Sequence, residues 1–159
     1  DPMSVKSGKH DSEFISPITE EQVQPNGIDL RAGRIYELVG TGDFTKKGID
    51  KPGRRELALE IDSHKWFLNP GAYIVQYKEK IKIPENCVGE VKPRSSLMRS
   101  GAMLHTALWD AGYEGRGEGL LVVFQEMYLE EGTRIGQMVF KESDEPDETY
   151  DGQYQGENL

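Results

Sequence analysis

Four short stretches hold the side chains that could do chemistry. VKPRSSLMRSG, residues 91–101, packs Lys92, Arg94 and Arg99 around Ser95 and Ser96. A helix beginning at the serines would turn its free N–H groups and positive dipole end outward. The hydroxyls add donors, Arg94 a planar fork matched to phosphate oxygens, and Arg99 charge about one turn on. The stretch is a polyphosphate cradle or, more simply, a surface helix capped by Ser95 or Ser96. WDAGYEG, residues 109–115, follows an apolar run and opens a Gly-containing turn. Asp110, half-shielded by Trp109 and Tyr113, could take a proton from water or bond a sugar hydroxyl. Tyr113 could lie under a sugar or base face. An ordinary turn aspartate is the competing reading.

GTRIGQMVF, residues 132–140, sets Arg134 and Gln137 among core residues. Their spacing puts them on opposite faces of a regular strand, unless a bulge at Gly136 realigns them. A buried Arg or Gln needs a partner, so an internal ion pair stands beside any binding role. In QPNGIDLRAG, residues 24–33, Asp29 lies between Ile28 and Leu30. It then points away from the face those two bury, where it could support a metal through water.

The elements that must position these residues are short strands. Candidates are 34–39, 56–61, 65–68, 72–83, 89–92, 101–109, 119–126 and 133–140, separated by turns such as KKGIDKPG, LNPG and LEEGT. Many short strands without βα alternation predict an all-β sandwich or barrel. Thr19 with Gln22 three residues on predicts one short helix, and SSLMRS a second.

With 159 residues the chain suits one domain. Apolar residues at 36% and charged residues at 30% fit a globular protein rather than a disordered one. The net charge of −9 argues against a general nucleic-acid binder but not against one anion held locally. No apolar run is long enough for a membrane helix. One cysteine, Cys87, cannot close an intrachain disulfide and favours a reducing, cytoplasmic setting. His10, His64 and His105 lie far apart with no metal-ligand spacing. Asp1 and Pro2 ahead of Met3 read as a remnant, and residues 1–15 as a loose N-terminus. Residues 16–140 form the β domain, and 141–159 an acidic tail. The tail carries seven Asp or Glu against one Lys. It is either a solvated tail or, through YDGQYQG, an arm that closes over something flat.

The order of these motifs, with the Tyr/Gly tail, resembles the dUTPase and dCTP deaminase superfamily from about Val23 to Gly156. Within it the chain most resembles short archaeal-type dUTPases. The resemblance implies a distorted β-barrel or jelly roll with one or two short helices. It also implies a homotrimer with sites at subunit interfaces, and a deoxynucleoside triphosphate substrate with Mg²⁺ on its phosphates. Arg94, Ser95 and Ser96 would bind phosphate, with Arg99 and Arg134 beside them. Asp110 would hold the 3′-hydroxyl and activate water, and Gln137 would help place water and phosphate. Tyr113 would lie beneath the sugar. The hairpin of His105, Thr106, Ala107 and Trp109 would read the pyrimidine. Tyr154 and Gln155 would close over the site, and Asp29 would stand near the metal and its waters.

Deaminases of this superfamily use a glutamate ten residues after the motif aspartate. That position is Leu120 here, or Val122 if the longer GRGEG turn is allowed for, and neither can move a proton. Glu118 is the only nearby carboxylate, in a Gly-flanked turn that suits solvent. Leu104 stands where common dUTPases have an Asn that helps read uracil. The implied reaction is hydrolysis of dUTP to dUMP and pyrophosphate, limiting uracil in DNA and supplying dUMP. A dCTP deaminase, a bifunctional deaminase/dUTPase and a non-catalytic nucleotide-binding jelly roll are the alternatives.

Overall fold

The computed structural model describes residues 4–144 and 148–159. Asp1 and Pro2, read as a remnant, Met3, and residues 145–147 of the tail lie outside the described residues. The chain opens with helix α1 (Gly8–Asp11), β1 (Ile15–Ser16), a 3-10 turn (Glu20–Gln22), β2 (Val23–Gln24) and β3 (Gly27–Val39). A projecting hairpin, β4 (Asp43–Thr45) and β5 (Gly48–Asp50), leads to β6 (Gly53–Glu56), β7 (Lys65–Leu68), β8 (Gly71–Tyr77) and β9 (Lys80–Lys82). Then come β10 (Cys87–Pro93), α2 (Ser95–Arg99), β11 (Ala102–His105), β12 (Glu114–Gly115), β13 (Glu118–Val123), β14 (Met127–Glu130) and β15 (Arg134–Glu142).

β3 is the hub. Its first half pairs with β15 and β2, and its second half with β8 and β6, all antiparallel. The main sheet runs β10-β15-β3-β8-β13-β11. Its two end strands, β10 and β11, meet, so the sheet curls into the expected distorted barrel. Alternation along each strand fills the interior: Ile28, Leu30 and Ile35 from β3, Val75 and Tyr77 from β8, Leu121 from β13, Met138 and Phe140 from β15. No helix among the described residues is long and apolar enough to cross a membrane.

Four expectations change. ELALEI is not a strand: β6 ends at Glu56, and Leu57 and Leu59 rest on the core from irregular chain. Residues 72–83 split into β8 and β9 because Glu79 turns inward. Its fully buried carboxylate accepts from Arg31 Nε at 2.7 Å, Arg31 N at 3.0 Å and Gln22 Nε2 at 3.0 Å. Residues 101–109 stop being a strand at His105, and Trp109 returns only as a bridge to Gly89. The N-terminal segment is docked rather than loose. Lys6 N–H donates to Phe140 O and Glu142 N–H to Ser4 O, both at 2.9 Å, and Phe14 packs edgewise on Phe140. Within residues 4–15, the large apolar side chains Val5, Phe14 and Ile15 are the signal for this in the sequence. The Thr19 and Gln22 pairing does form, with Gln22 Oε1 accepting from Thr19 N–H at 2.9 Å.

Phe140 lies where the N-terminal segment and the barrel meet, with no solvent exposure. Phe140→Ala is expected to cost about 3–5 kcal/mol in urea unfolding. Phe124→Ala, at a ring 68% exposed, should stay within about 0.5 kcal/mol of the parent.

Candidate functional site

The sequence-predicted residues gather in two places. The first is a corner where β10, β15 and β3 lie side by side. β10 ends at Pro93, and Arg94 N–H donates to Ile135 O at 2.9 Å. Arg94 is itself the N-cap of α2, with extended backbone. Ser95 and Ser96 are therefore the first helical residues rather than caps, and both are exposed. Buried Leu97 pins this turn, leaving Arg99 exposed at its end.

β15 is not regular here but bulged, the exception to the opposite-face spacing of Arg134 and Gln137. Its register on β3 shifts between Arg134, opposite Arg31, and Gly136, opposite Leu30. The extra residue restores Arg134 and Gln137 to one face, as a bulge must. Gln137 then sits between Asp29 of β3 and Lys92 of β10. Its side chain crosses Gly27, where an added Cβ would come within 2.7 Å of Gln137 Cγ.

Asp29 differs from expectation. It points away from the Ile28 and Leu30 face as read, but it is only 2% exposed there and is held by cationic side chains rather than left open to a metal's waters. Its Oδ2 is 3.2 Å from Arg134 Nη1, 3.6 Å from Arg94 Nε, and accepts from Gln24 Nε2 at 3.0 Å. Arg94 Nη1 also donates to Arg134 O at 3.2 Å, and Arg134 Nη1 to Glu21 O at 2.9 Å. The internal ion pair considered for Arg134 is present, on Asp29. Among the described residues no cluster of three or more His, Cys, Asp or Glu side chains could hold a metal.

The second place is the turn after Trp109. Trp109 and Gly89 exchange both backbone hydrogen bonds, at 2.8 and 2.9 Å. The indole lies against Gly117, where any Cβ would collide with it. The 110–113 turn closes by Tyr113 N–H to Asp110 O at 3.1 Å, with Gly112 in left-handed backbone at φ +86°. Asp110 is exposed at the rim of a cavity of about 1010 Å³. Trp109, Tyr113, Lys51, Arg54 and Tyr154 also line it. An adjoining cleft of about 320 Å³ is lined by Ile74, His105, Thr106, Ala107, Glu118 and Leu120.

Tyr113 does not offer a bare ring face. It is 6% exposed, edge-on to Trp109 and Tyr150, and its hydroxyl donates to Glu157 Oε1 at 2.7 Å. The tail lies over its own chain's turn. Gln155 accepts from Glu114 N–H at 2.8 Å and donates to Gly112 O at 3.1 Å. Tyr154 receives Lys51 Nζ at 2.9 Å.

Glu118 is not a solvent-facing turn residue either. It begins β13, half-buried, and Arg54 holds both its oxygens at 2.7 and 3.0 Å. Leu120 and Val122 share its face of β13, so no other carboxylate of that strand reaches the cleft. Leu104 is buried on the core side of β11 and cannot read a base. Arg54, Lys51 and Glu157 escape sequence reading. The basic GRR of 53–55 in an acidic chain is a signal for Arg54, whereas its pairing across 64 positions has none.

The two places are far apart within one chain. Trp109 bridges Gly89, and Arg94 follows five residues on, roughly 16 Å of strand.

The molecule is a curled antiparallel β barrel with an arginine corner where β10 ends and an aspartate-rimmed aromatic cavity beside Gly89 of the same strand. The family described as dCTP deaminase-like matches residues 5–143, and the chain belongs to it. A probable deoxyuridine 5′-triphosphate nucleotidohydrolase of Halobacterium salinarum is 43% identical over 150 residues, covering 92% of this chain and 90% of that protein. The deoxyuridine 5′-triphosphate nucleotidohydrolase of Methanocaldococcus jannaschii is 41% identical over 145 residues, covering 90% and 93%. Among solved structures, the 2′-deoxycytidine 5′-triphosphate deaminase from Agrobacterium tumefaciens shares the fold at TM-score 0.65 and 19% identity. The match covers 90% of this chain but about half, 49%, of that one.

Burial raises the Glu157 carboxyl above the ordinary range, outweighing the Tyr113 hydrogen bond that lowers it. Protonation therefore favours the docked tail: this contribution is complete below the ordinary carboxylate range and is lost as pH rises through the raised value. Limited proteolysis of the tail should slow in mildly acidic buffer and quicken in mildly alkaline buffer. Glu157→Gln should flatten that dependence, and tail release on acidification would contradict it.

Proposed function

We propose that this chain hydrolyses dUTP to dUMP and pyrophosphate. The carrying observation is the exposed Asp110 at the rim of an aromatic cavity, while Leu120 and Val122 occupy the outward face of β13. Hydrolysis at the α-phosphorus needs a positioned water, a base and cationic groups for developing charge. Asp110 takes the proton as water adds to the α-phosphorus. The bond from that phosphorus to the α,β-bridging oxygen breaks, and pyrophosphate leaves. Arg94 and Arg134, with the exposed hydroxyls of Ser95 and Ser96, meet the phosphates, and Gln137 orients water or phosphate. Arg99 adds charge at the end of α2. The backbone of His105, Thr106 and Ala107 meets the pyrimidine beside Leu120. Tyr154 and Gln155 cover the sugar side. Mg²⁺ held by the triphosphate itself would supply countercharge for it. The names of the archaeal relatives support the substrate.

The separation between Arg94 and Asp110 supports a homotrimer in which one chain's arginine corner faces another's Asp110. Glu118 carries a second reading. It is a carboxylate lining the cleft beside His105–Ala107, so dCTP deamination with Glu118 as base is the alternative reaction.

Incubation with dUTP and with dCTP in Mg²⁺ separates the two, by pyrophosphate from dUTP and ammonia from dCTP. Absence of pyrophosphate from dUTP would overturn the hydrolase reading, and ammonia from dCTP beside pyrophosphate from dUTP would make the chain bifunctional. Asp110→Asn is expected to leave nucleotide binding largely intact and to cut turnover by about 10²–10⁴-fold. Near-normal turnover would remove Asp110 from the chemistry.

A further inference from the structure

The family resemblance places Asp29 near a metal and its waters, but its surroundings suit a different task. The side chain is 3% exposed, with Arg134 Nη1 at 3.2 Å and Arg94 Nε at 3.6 Å. Two guanidiniums around one carboxylate leave the corner with a net positive charge. Such a corner repels a divalent cation and attracts an anion. We propose that Asp29 is a positioning residue that locks Arg94 and Arg134 side by side as one polyphosphate cradle, and that it does not support a metal.

The backbone is built to the same end. The bulge before Gly136 swings Arg134 onto the Asp29 face, and Arg94 is tied to β15 through both its N–H and its guanidinium. Free arginine side chains carry much rotamer entropy. Pinning them before the ligand arrives removes that cost from binding. Gln24 Nε2 donates to the same Oδ2 at 3.0 Å, so three donors converge on one oxygen and fix the carboxylate. The inference rests on the hydrolase reading for the identity of the nucleotide, not for the anion chemistry.

Two measurements test it. Wild-type protein in EDTA should bind inorganic tripolyphosphate, measured by calorimetry, with affinity falling as salt rises. No binding without a divalent cation would overturn the proposal, whatever happens to dUTP. Asp29→Asn should weaken tripolyphosphate binding in EDTA by about tenfold or more. It should raise KM for dUTP far more than it lowers kcat, and leave the Mg²⁺ titration midpoint unchanged. Asp29→Asn should add little in an Arg134→Lys background, a strongly non-additive pair, because the two changes break the same contact. An Asp29→Asn protein that binds tripolyphosphate normally and shifts only its Mg²⁺ midpoint would return Asp29 to the metal. If that variant does not fold, the wild-type measurement still decides. If wild-type protein releases no pyrophosphate from dUTP, the hydrolase reading falls while the tripolyphosphate result stands.

Discussion

A carboxylate taken out of water must find positive charge, and Asp29 sets that demand at the centre of this fold. It lies in β3, the strand that pairs with β15, β8, β2 and β6. Removing one partner of a buried, paired charge costs about 3–5 kcal/mol. β15 could satisfy Asp29 with Arg134 only by inserting an extra residue. β10 could satisfy it only by ending where Arg94 turns toward β15. The neighbouring Glu79 repeats the logic with Arg31 and Gln22, and Gln22 links the two by donating to Asp29 O at 2.8 Å. One chain of polar contacts thus runs under the 3-10 turn, across β3 and to the start of α2. It makes the arginine corner a consequence of barrel closure.

The Asp110 end obeys a different constraint, steric rather than ionic. Gly89, Gly117 and Gly119 leave room for Trp109 and Tyr77 beneath β10 and β13. With those rings fixed, the 110–113 turn has only the outside of the barrel to occupy, and Asp110 is carried to the rim. The tail then covers the turn by hydrogen bonds to its backbone groups. Arg54 from β6 crosses to Glu118, so the segment between β3 and β6 is also fastened here. Charged groups of both signs converge at this mouth, in keeping with an acidic chain that confines its positive charge to particular sites.

Much of this was legible in the residues. KWFL is β7, GEVK lies within β10, and RIGQMVF of the 133–140 stretch within β15, because each packs apolar side chains against one core. The motif residues also fall where chemistry is possible, at strand ends and turns. The misreadings share a cause. ELALEI alternates correctly, yet no neighbouring edge remained for it to pair. Alternation correctly turns Asp29 away from the Ile28 and Leu30 face, but it cannot tell that Arg134, Arg94 and Gln24 close over it there. Glu118 was read from its glycines, which say nothing of an arginine 64 positions away.

The sequence by itself determined the all-β class, the two motif arginines, the aspartate turn and the want of a carboxylate at 120 and 122. These follow from local rules: side-chain period, turn residues and residue identity. Only the tertiary structure decided that Arg134 and Gln137 share a face, that Asp29 is a buried anchor, that Arg94 caps α2, and that Tyr113 is sealed by Glu157. Each of those depends on which strand lies beside which, and on the ion pairs and close contacts that long-range pairing creates.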